Sequence, residues 1–144
     1  MGSENSTWQT MRKAFKNIAN VRLTRNEDKF DVGKPDVTFG MYAGESKWTG
    51  FIELKYLERF PPRKGIVKIE HYTKEQKTWL LEQGEIGGRC FLFCQVGREY
   101  FLFDHKVAQQ IGDVKEEYWR EFTLCHRKGK IDPIAIMICI SALY

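Results

Sequence analysis

The run RCFLFCQVGREYFLFD, residues 89–104, constrains the fold more than any other stretch of the chain. Two apolar segments of strand length flank a Gly97-Arg98 turn, with few polar interruptions in either. A strand pair of this kind is covered on both faces, whereas a half-exposed pair would alternate apolar and polar residues. The pair belongs to one central sheet, and the order helix, three strands, helix, strands along the chain makes a mixed α/β domain around it. At 144 residues the chain suits a single domain with a real core. A hydrophobic content of 42% supplies the apolar surface that such a core needs.

The remaining elements fit that plan. Over residues 6–19, Trp8, Met11, Phe15 and Ile18 recur at steps of three and four, which predicts an amphipathic helix. Extending the stripe backwards reaches Glu4, where an acid also suits the positive end of the helix dipole. VRLTR alternates like a strand, and NEDKFDVGKP reads as a loop. DVTFGMY and WTGFIELKYL, joined by AGESK, predict an antiparallel hairpin. ERFPPRKGIVKIEH, with two prolines and a glycine, is a stiff, exposed, basic connection. In TKEQKTWLLEQG, Thr73 and Gln76 form a capping box and Gly84 supplies a stop. Beyond His105, helices are expected near HKVAQQIG and VKEEYWREF. The closing run IDPIAIMICISALY is too short and interrupted for a membrane span, and is either a last core element or a surface covered by a partner chain.

Lysines and arginines number 23 against 19 acids, a net charge of +4, and the basic excess gathers between Lys55 and Lys77. A mild excess of this kind attracts polyanions. Cys90 and Cys94 lie too far apart along a strand to join, and Cys125 and Cys139 lack ligand spacing, so all four read as free thiols in a reducing compartment. With no long apolar N-terminal segment, neither a signal peptide nor an anchor is indicated, and a cytoplasmic location is expected.

In WTGFIELKYL, residues two apart share a face, so Phe51, Glu53 and Lys55 point one way and Ile52 and Leu54 the other. The hairpin brings Asp36 back towards Glu53. Carboxylates beside Lys55 can form an exposed cross-strand salt bridge, which is common and worth little. The apolar company of FIELKYL argues otherwise, because charges within a core-like strand are expensive unless paired or coordinated. Two carboxylates beside a lysine suit a hard cation.

These residues resemble the PD-(D/E)xK nuclease superfamily, with KPD at 34–36 and ELK at 53–55. GKPD opening a strand, IELK ending the next, KEQKTWL opening a helix and SEN ahead of the first helix resemble the VRR-NUC branch, in particular its small stand-alone phage and bacterial forms. The resemblance implies a restriction-endonuclease-like α/β core in the order αβββαβ over about residues 3–104, with a C-terminal extension over about 105–144 of one domain. It also implies a metal-dependent phosphodiesterase. Asp36, Glu53 and the Leu54 carbonyl would ligate Mg²⁺ or Mn²⁺, Glu4 would complete the acidic cluster, and Lys55 would orient or deprotonate the attacking water. Gln76 matches the family's helix glutamine, although the capping box is an equally good local reason for it. His71, just before that helix, is a candidate phosphate contact, with a structural role as the commoner alternative for a lone histidine near a helix start. Arg25, Arg59, Arg63, Lys64, Lys68 and Lys74 are candidate contacts to the DNA backbone.

Small proteins of this type resemble Holliday junction resolvases in behaviour, which implies a homodimer cutting four-way junctions in the cytoplasm, that of the host if phage-encoded. The first helix and the apolar C-terminal run are candidate dimer surfaces. A less selective nuclease on single-stranded or flapped DNA is the alternative within enzymes, and a non-catalytic DNA-binding protein is the alternative outside them.

Overall fold

The computed structural model describes residues 2–27 and 30–142. Asp28 and Lys29 of the expected loop, and Leu143 and Tyr144 of the closing run, lie outside the described residues. The elements are α1 (Glu4–Phe15), β1 (Val21–Arg25), β2 (Val37–Ala43), β3 (Ser46–Leu57), α2 (Lys74–Glu85), β4 (Arg89–Val96), β5 (Glu99–Asp104), a 3-10 turn (Val107–Gln109), α3 (Glu116–Phe122), β6 (Cys125–Lys128) and α4 (Pro133–Ala142). The six strands form one sheet in chain order. All neighbours are antiparallel except β3 and β4, which run parallel with α2 as their crossover.

The covered strand pair is where the sequence places it. In β4, Phe91 and Phe93 join α1, α4, β2 and Leu54 in one core layer, while Cys90, Leu92, Cys94 and Val96 join Leu80 and Trp119 in the other. β5 divides in the same way, with Tyr100 and Leu102 on one face and Phe101 and Phe103 on the opposite one. The period of two thus serves two cores. Both Cys90 and Cys94 are buried free thiols, and burial pushes the Cys90 thiol up to about 12.

Several boundaries differ from expectation. α1 starts at Glu4, two residues before the expected residue 6, because Ser3 and Ser6 make a reciprocal capping box, and it ends at Phe15 instead of residue 19. The β2–β3 turn has only two residues, Gly44 and Glu45, with Gly44 at φ 59. Gly84 is not a stop: it lies inside α2, where the His105 ring occupies the space a Cβ would take. Termination falls to Gly87 at φ 101. HKVAQQIG forms one 3-10 turn instead of an α-helix, with the Asp104 carboxylate accepting from the Lys106 and Val107 amides. Trp8, Met11 and Phe15 are consumed by the core, so the apolar stripe of α1 offers no dimer surface. α4 is a core element through Ile136, Met137 and Ile140, yet Ile134 and Ile138 face outward, 53% and 60% exposed. Among the described residues no helix is long and apolar enough to cross a membrane.

Close approach of β3 to β4 requires one glycine. A Cβ on Gly50 would collide with the backbone carbonyl of Arg89 and lie 2.7 Å from the Phe39 ring, while at Gly40 it would meet nothing within 4 Å. Gly50→Ala should therefore cost about 3 kcal/mol or more by overpacking. Gly40→Ala should stay within about 1 kcal/mol, and urea unfolding of the two variants compares them directly. Equal midpoints would mean that the β3–β4 contact is looser than described.

Candidate active site

The β2–β3 ladder ends at Val37 paired with Ile52, whereas β3 continues beside β4 as far as Leu57 paired with Val96. Past Ile52, β3 therefore has a neighbour on one edge only. Asp36, one residue before β2, stands across that fork from Glu53. Its Oδ2 accepts a hydrogen bond from the Leu54 amide at 2.9 Å. In an extended strand the N–H and C=O of one residue point to the same edge, so the Leu54 carbonyl also faces the fork.

Glu53 is 1% exposed, and both its carboxylate oxygens are buried without a hydrogen-bond partner. Burial, reinforced by the neighbouring Asp36 carboxylate, pushes its pKa well above the ordinary value; the Lys55 ammonium opposes the rise and Glu4 adds to it. Lys55 is equally buried. Its Nζ lies 2.9 Å from Glu4 Oε1 and 3.4 Å from Glu53 Oε2, and donates to the His71 carbonyl at 2.9 Å. The Glu53 contact is an ion pair without hydrogen-bond alignment. Cys94, opposite Lys55 in the β3–β4 register, is held as a neutral thiol by burial.

Glu4 arrives from α1, whose N-terminal end is fixed against the ends of β3 and β4. The Gly2 amide donates to the Tyr56 hydroxyl at 3.1 Å, and the Thr7 hydroxyl donates to Gln95 Oε1 at 2.7 Å. The fork thus holds three carboxylates, Glu4, Asp36 and Glu53, against the single ammonium of Lys55. Two negative charges remain when all are ionised, the charge of one divalent cation reversed. Among the described residues no group of three His, Cys, Asp or Glu side chains forms a ready-made metal cage. The groups that could hold a hard cation are Asp36, Glu53 and the Leu54 carbonyl, and Mg²⁺ asks for one or two carboxylates with waters completing its shell. Unsatisfied buried oxygens on Glu53 fit that demand.

The other candidates divide. Gln76 closes the capping box of α2: its Oε1 accepts from the Thr73 amide at 2.9 Å and its amide donates to Thr73 Oγ1 at 3.2 Å. His71 is exposed, and it meets Lys55 through its backbone carbonyl. Arg59, Arg63, Lys64 and Lys68 are exposed along the connection from β3 to α2, and Lys74 is exposed at the start of α2. That connection is pinned by Phe60 edge-on to Phe101 and Trp119, and by the buried Val67, whose amide donates to the Val114 carbonyl at 2.9 Å. Arg25 stands apart, half-buried with its guanidinium 5.8 Å from the Trp8 ring centroid. Sequence reasoning misses Tyr72, whose ring lies 5.7 Å from Lys55 Nζ, and the Thr7–Gln95 clasp; nothing in the spacing of either marks it.

No protein-family model and no curated protein matches this chain. Among solved structures it is similar to Hjc, a Holliday junction resolvase from the archaeal hyperthermophile Archaeoglobus fulgidus. The TM-score is 0.52 at 13% identity, over 89% of this chain and 93% of that one. The chain has a restriction-endonuclease-like fold. Residues 3–104 make up less than three quarters of the sequence, so an 89% overlap takes in part of the C-terminal extension as well. At this identity the likeness speaks for architecture, and the chemistry has to be argued from the fork itself.

Proposed function

We propose that this chain is a Mg²⁺-dependent, structure-specific DNA endonuclease that hydrolyses phosphodiester bonds, prefers four-way junctions and works as a homodimer. The observation that carries the reading is Glu53, a buried carboxylate with unsatisfied oxygens beside Asp36 and Lys55 at an open strand edge. A purely structural ion pair leaves no reason for two carboxylates to share a buried site. The VRR-NUC resemblance of the sequence and a fold shared with a Holliday junction resolvase support the choice of substrate.

Asp36, Glu53 and the Leu54 carbonyl would hold Mg²⁺, for which Mn²⁺ would substitute. Bound there, the ion would polarise a phosphoryl oxygen and acidify a water molecule. Lys55 offsets charge on the phosphate and orients the attacking water. Its ammonium has three donors and faces Glu4, Glu53 and the His71 carbonyl. Glu4 is the partner a substrate phosphate displaces, since its side chain is 38% exposed whereas Glu53 is closed off. The exposed basic residues between β3 and α2 neutralise backbone phosphates, and a dimer sets two sites at a fixed separation for paired cuts.

The test is cleavage of end-labelled four-way junction, flap, duplex and single strand, with Mg²⁺ or chelator, by wild type and Glu53→Gln. Symmetric nicks near the branch point that need both metal and Glu53 are expected. Equal cutting of every substrate would point to an unselective nuclease, and binding without cutting to a DNA-binding role. Reversing charge at Arg63 and Lys64 should weaken junction binding and lower the slope of log K against log salt by about 2, one phosphate contact each. An unchanged slope would take that loop off the DNA.

A further inference from the structure

His71 is the non-glycine residue with positive φ, 62°, among the described residues. It has neither the missing Cβ of glycine nor the short amide of asparagine, so the surrounding structure must hold it there. That conformation aims the His71 carbonyl at Lys55 Nζ, 2.9 Å away, and brings the next ring, Tyr72, to 5.7 Å from the same ammonium. The turn is then clamped from behind. The Tyr72 hydroxyl donates to the Ala108 carbonyl at 2.8 Å. Lys77 Nζ lies 5.0 Å from the Tyr72 centroid and pairs with Asp113 at 3.2 Å. Ala108 and Asp113 both belong to the segment after β5. Burial keeps the Tyr72 phenol protonated by raising its pKa, so the hydroxyl remains a donor to Ala108.

We propose that the His71–Tyr72 turn is the positioning device for the Lys55 ammonium, and that residues 108–113 serve cleavage by holding that turn, without touching DNA. The inference rests on the nuclease reading and adds to it a role for the C-terminal extension. His71 acts through its backbone and Tyr72 through its ring and hydroxyl; neither is a catalytic residue. Misplacement of a reacting group by about 1 Å can cost about a hundredfold in rate, so a backbone carbonyl that fixes an ammonium has a measurable consequence.

The decisive comparison is at position 71, because the proposal makes backbone conformation matter and imidazole chemistry irrelevant. His71→Gly accepts positive φ and keeps the carbonyl; His71→Val resists positive φ. Single-turnover cleavage with Mg²⁺ should leave His71→Gly within about threefold of wild type and cost His71→Val about tenfold or more in the saturating rate constant, with Kd for the junction unchanged. Tyr72→Phe, which loses only the hydroxyl bond to Ala108, should fall between them. Loss of activity in His71→Gly would overturn the proposal in favour of a working imidazole, and full activity in His71→Val would overturn it outright. Should wild type cut nothing, the nuclease reading fails on its own, and the clamp is read instead from the side-chain ammonium signal of ¹⁵N-lysine-labelled protein. A protected Lys55 signal present in wild type and His71→Gly but absent in His71→Val would uphold the clamp; its absence from all three would overturn it.

Discussion

Glu53→Gln is expected to abolish cleavage and at the same time to raise the melting temperature of the metal-free protein. On the proposed reading the loss of activity follows from removing a metal ligand: metal assistance is worth several kcal/mol at the transition state, and about 4 kcal/mol is about a thousandfold in rate. The gain in stability follows from the same burial that makes the residue useful. Desolvation first, and Asp36 second, raise the Glu53 pKa above the ordinary 4.5, so the native state holds a proton that the unfolded chain releases. Above pH 4.5 the unfolded state binds fewer protons, so metal-free wild type loses stability as pH rises until the raised pKa is passed. Glutamine has no such slope. Thermal melts between pH 5 and pH 8 in chelator should therefore diverge, with wild type falling away from the variant. Adding Mg²⁺ should reverse the order: at a hundredfold excess over Kd, binding to the native state contributes about 2.7 kcal/mol. That gain belongs to wild type and not to Glu53→Gln or Asp36→Asn. Parallel pH curves with no metal response would leave Glu53 as an ordinary buried acid.

The same burial of charge is what made the candidate site legible in the sequence. Glu53 and Lys55 break the apolar pattern of β3 at two same-face positions, and a violation of local rules inside a core strand marks a functional site. Asp36 was reachable because a hairpin folds β2 back along β3, even though the turn is shorter than the AGESK loop suggested. The sheet was legible for the same reason, since uninterrupted apolar runs in β4 and β5 left no room for a solvated face. β6 was not legible: CHRK has no alternation to read, being a short polar edge strand whose half-exposed and exposed residues do not need one. The His71–Tyr72 turn was invisible for a different reason. Nothing in EHYTKEQ announces positive φ at a histidine, and the hydroxyl bond that fixes Tyr72 comes from Ala108, 36 positions along the chain. Gln76 is a different case, in which a local motif and a family motif coincide on one side chain and the geometry engages it in the local one.

Lys55→Ala should also abolish cleavage, but with the opposite effect on the fold. In wild type its ammonium is the one positive group the fork sets against Glu4 and Glu53, and it satisfies the His71 carbonyl as well. Truncation strands two carboxylates and a carbonyl, leaves a void beneath the Tyr72 ring, and removes the partner that lowers the Glu53 pKa. Breaking one side of a buried pair costs about 3 kcal/mol or more, so chelated Lys55→Ala should melt below wild type at neutral pH, where Glu53→Gln melts above it. Mg²⁺ should partly restore Lys55→Ala, because the site retains Asp36, Glu53 and the Leu54 carbonyl and its negative charge has grown. The double variant Lys55→Ala with Glu53→Gln should recover much of the lost stability even in chelator, since the unpaired buried carboxylate is gone, and the part of the recovery that exceeds the gain of Glu53→Gln alone measures the coupling between the two side chains. Strictly additive effects in that double variant would mean that Lys55 stabilises the fold by packing alone, and the ion pair at the fork would then be incidental to the site.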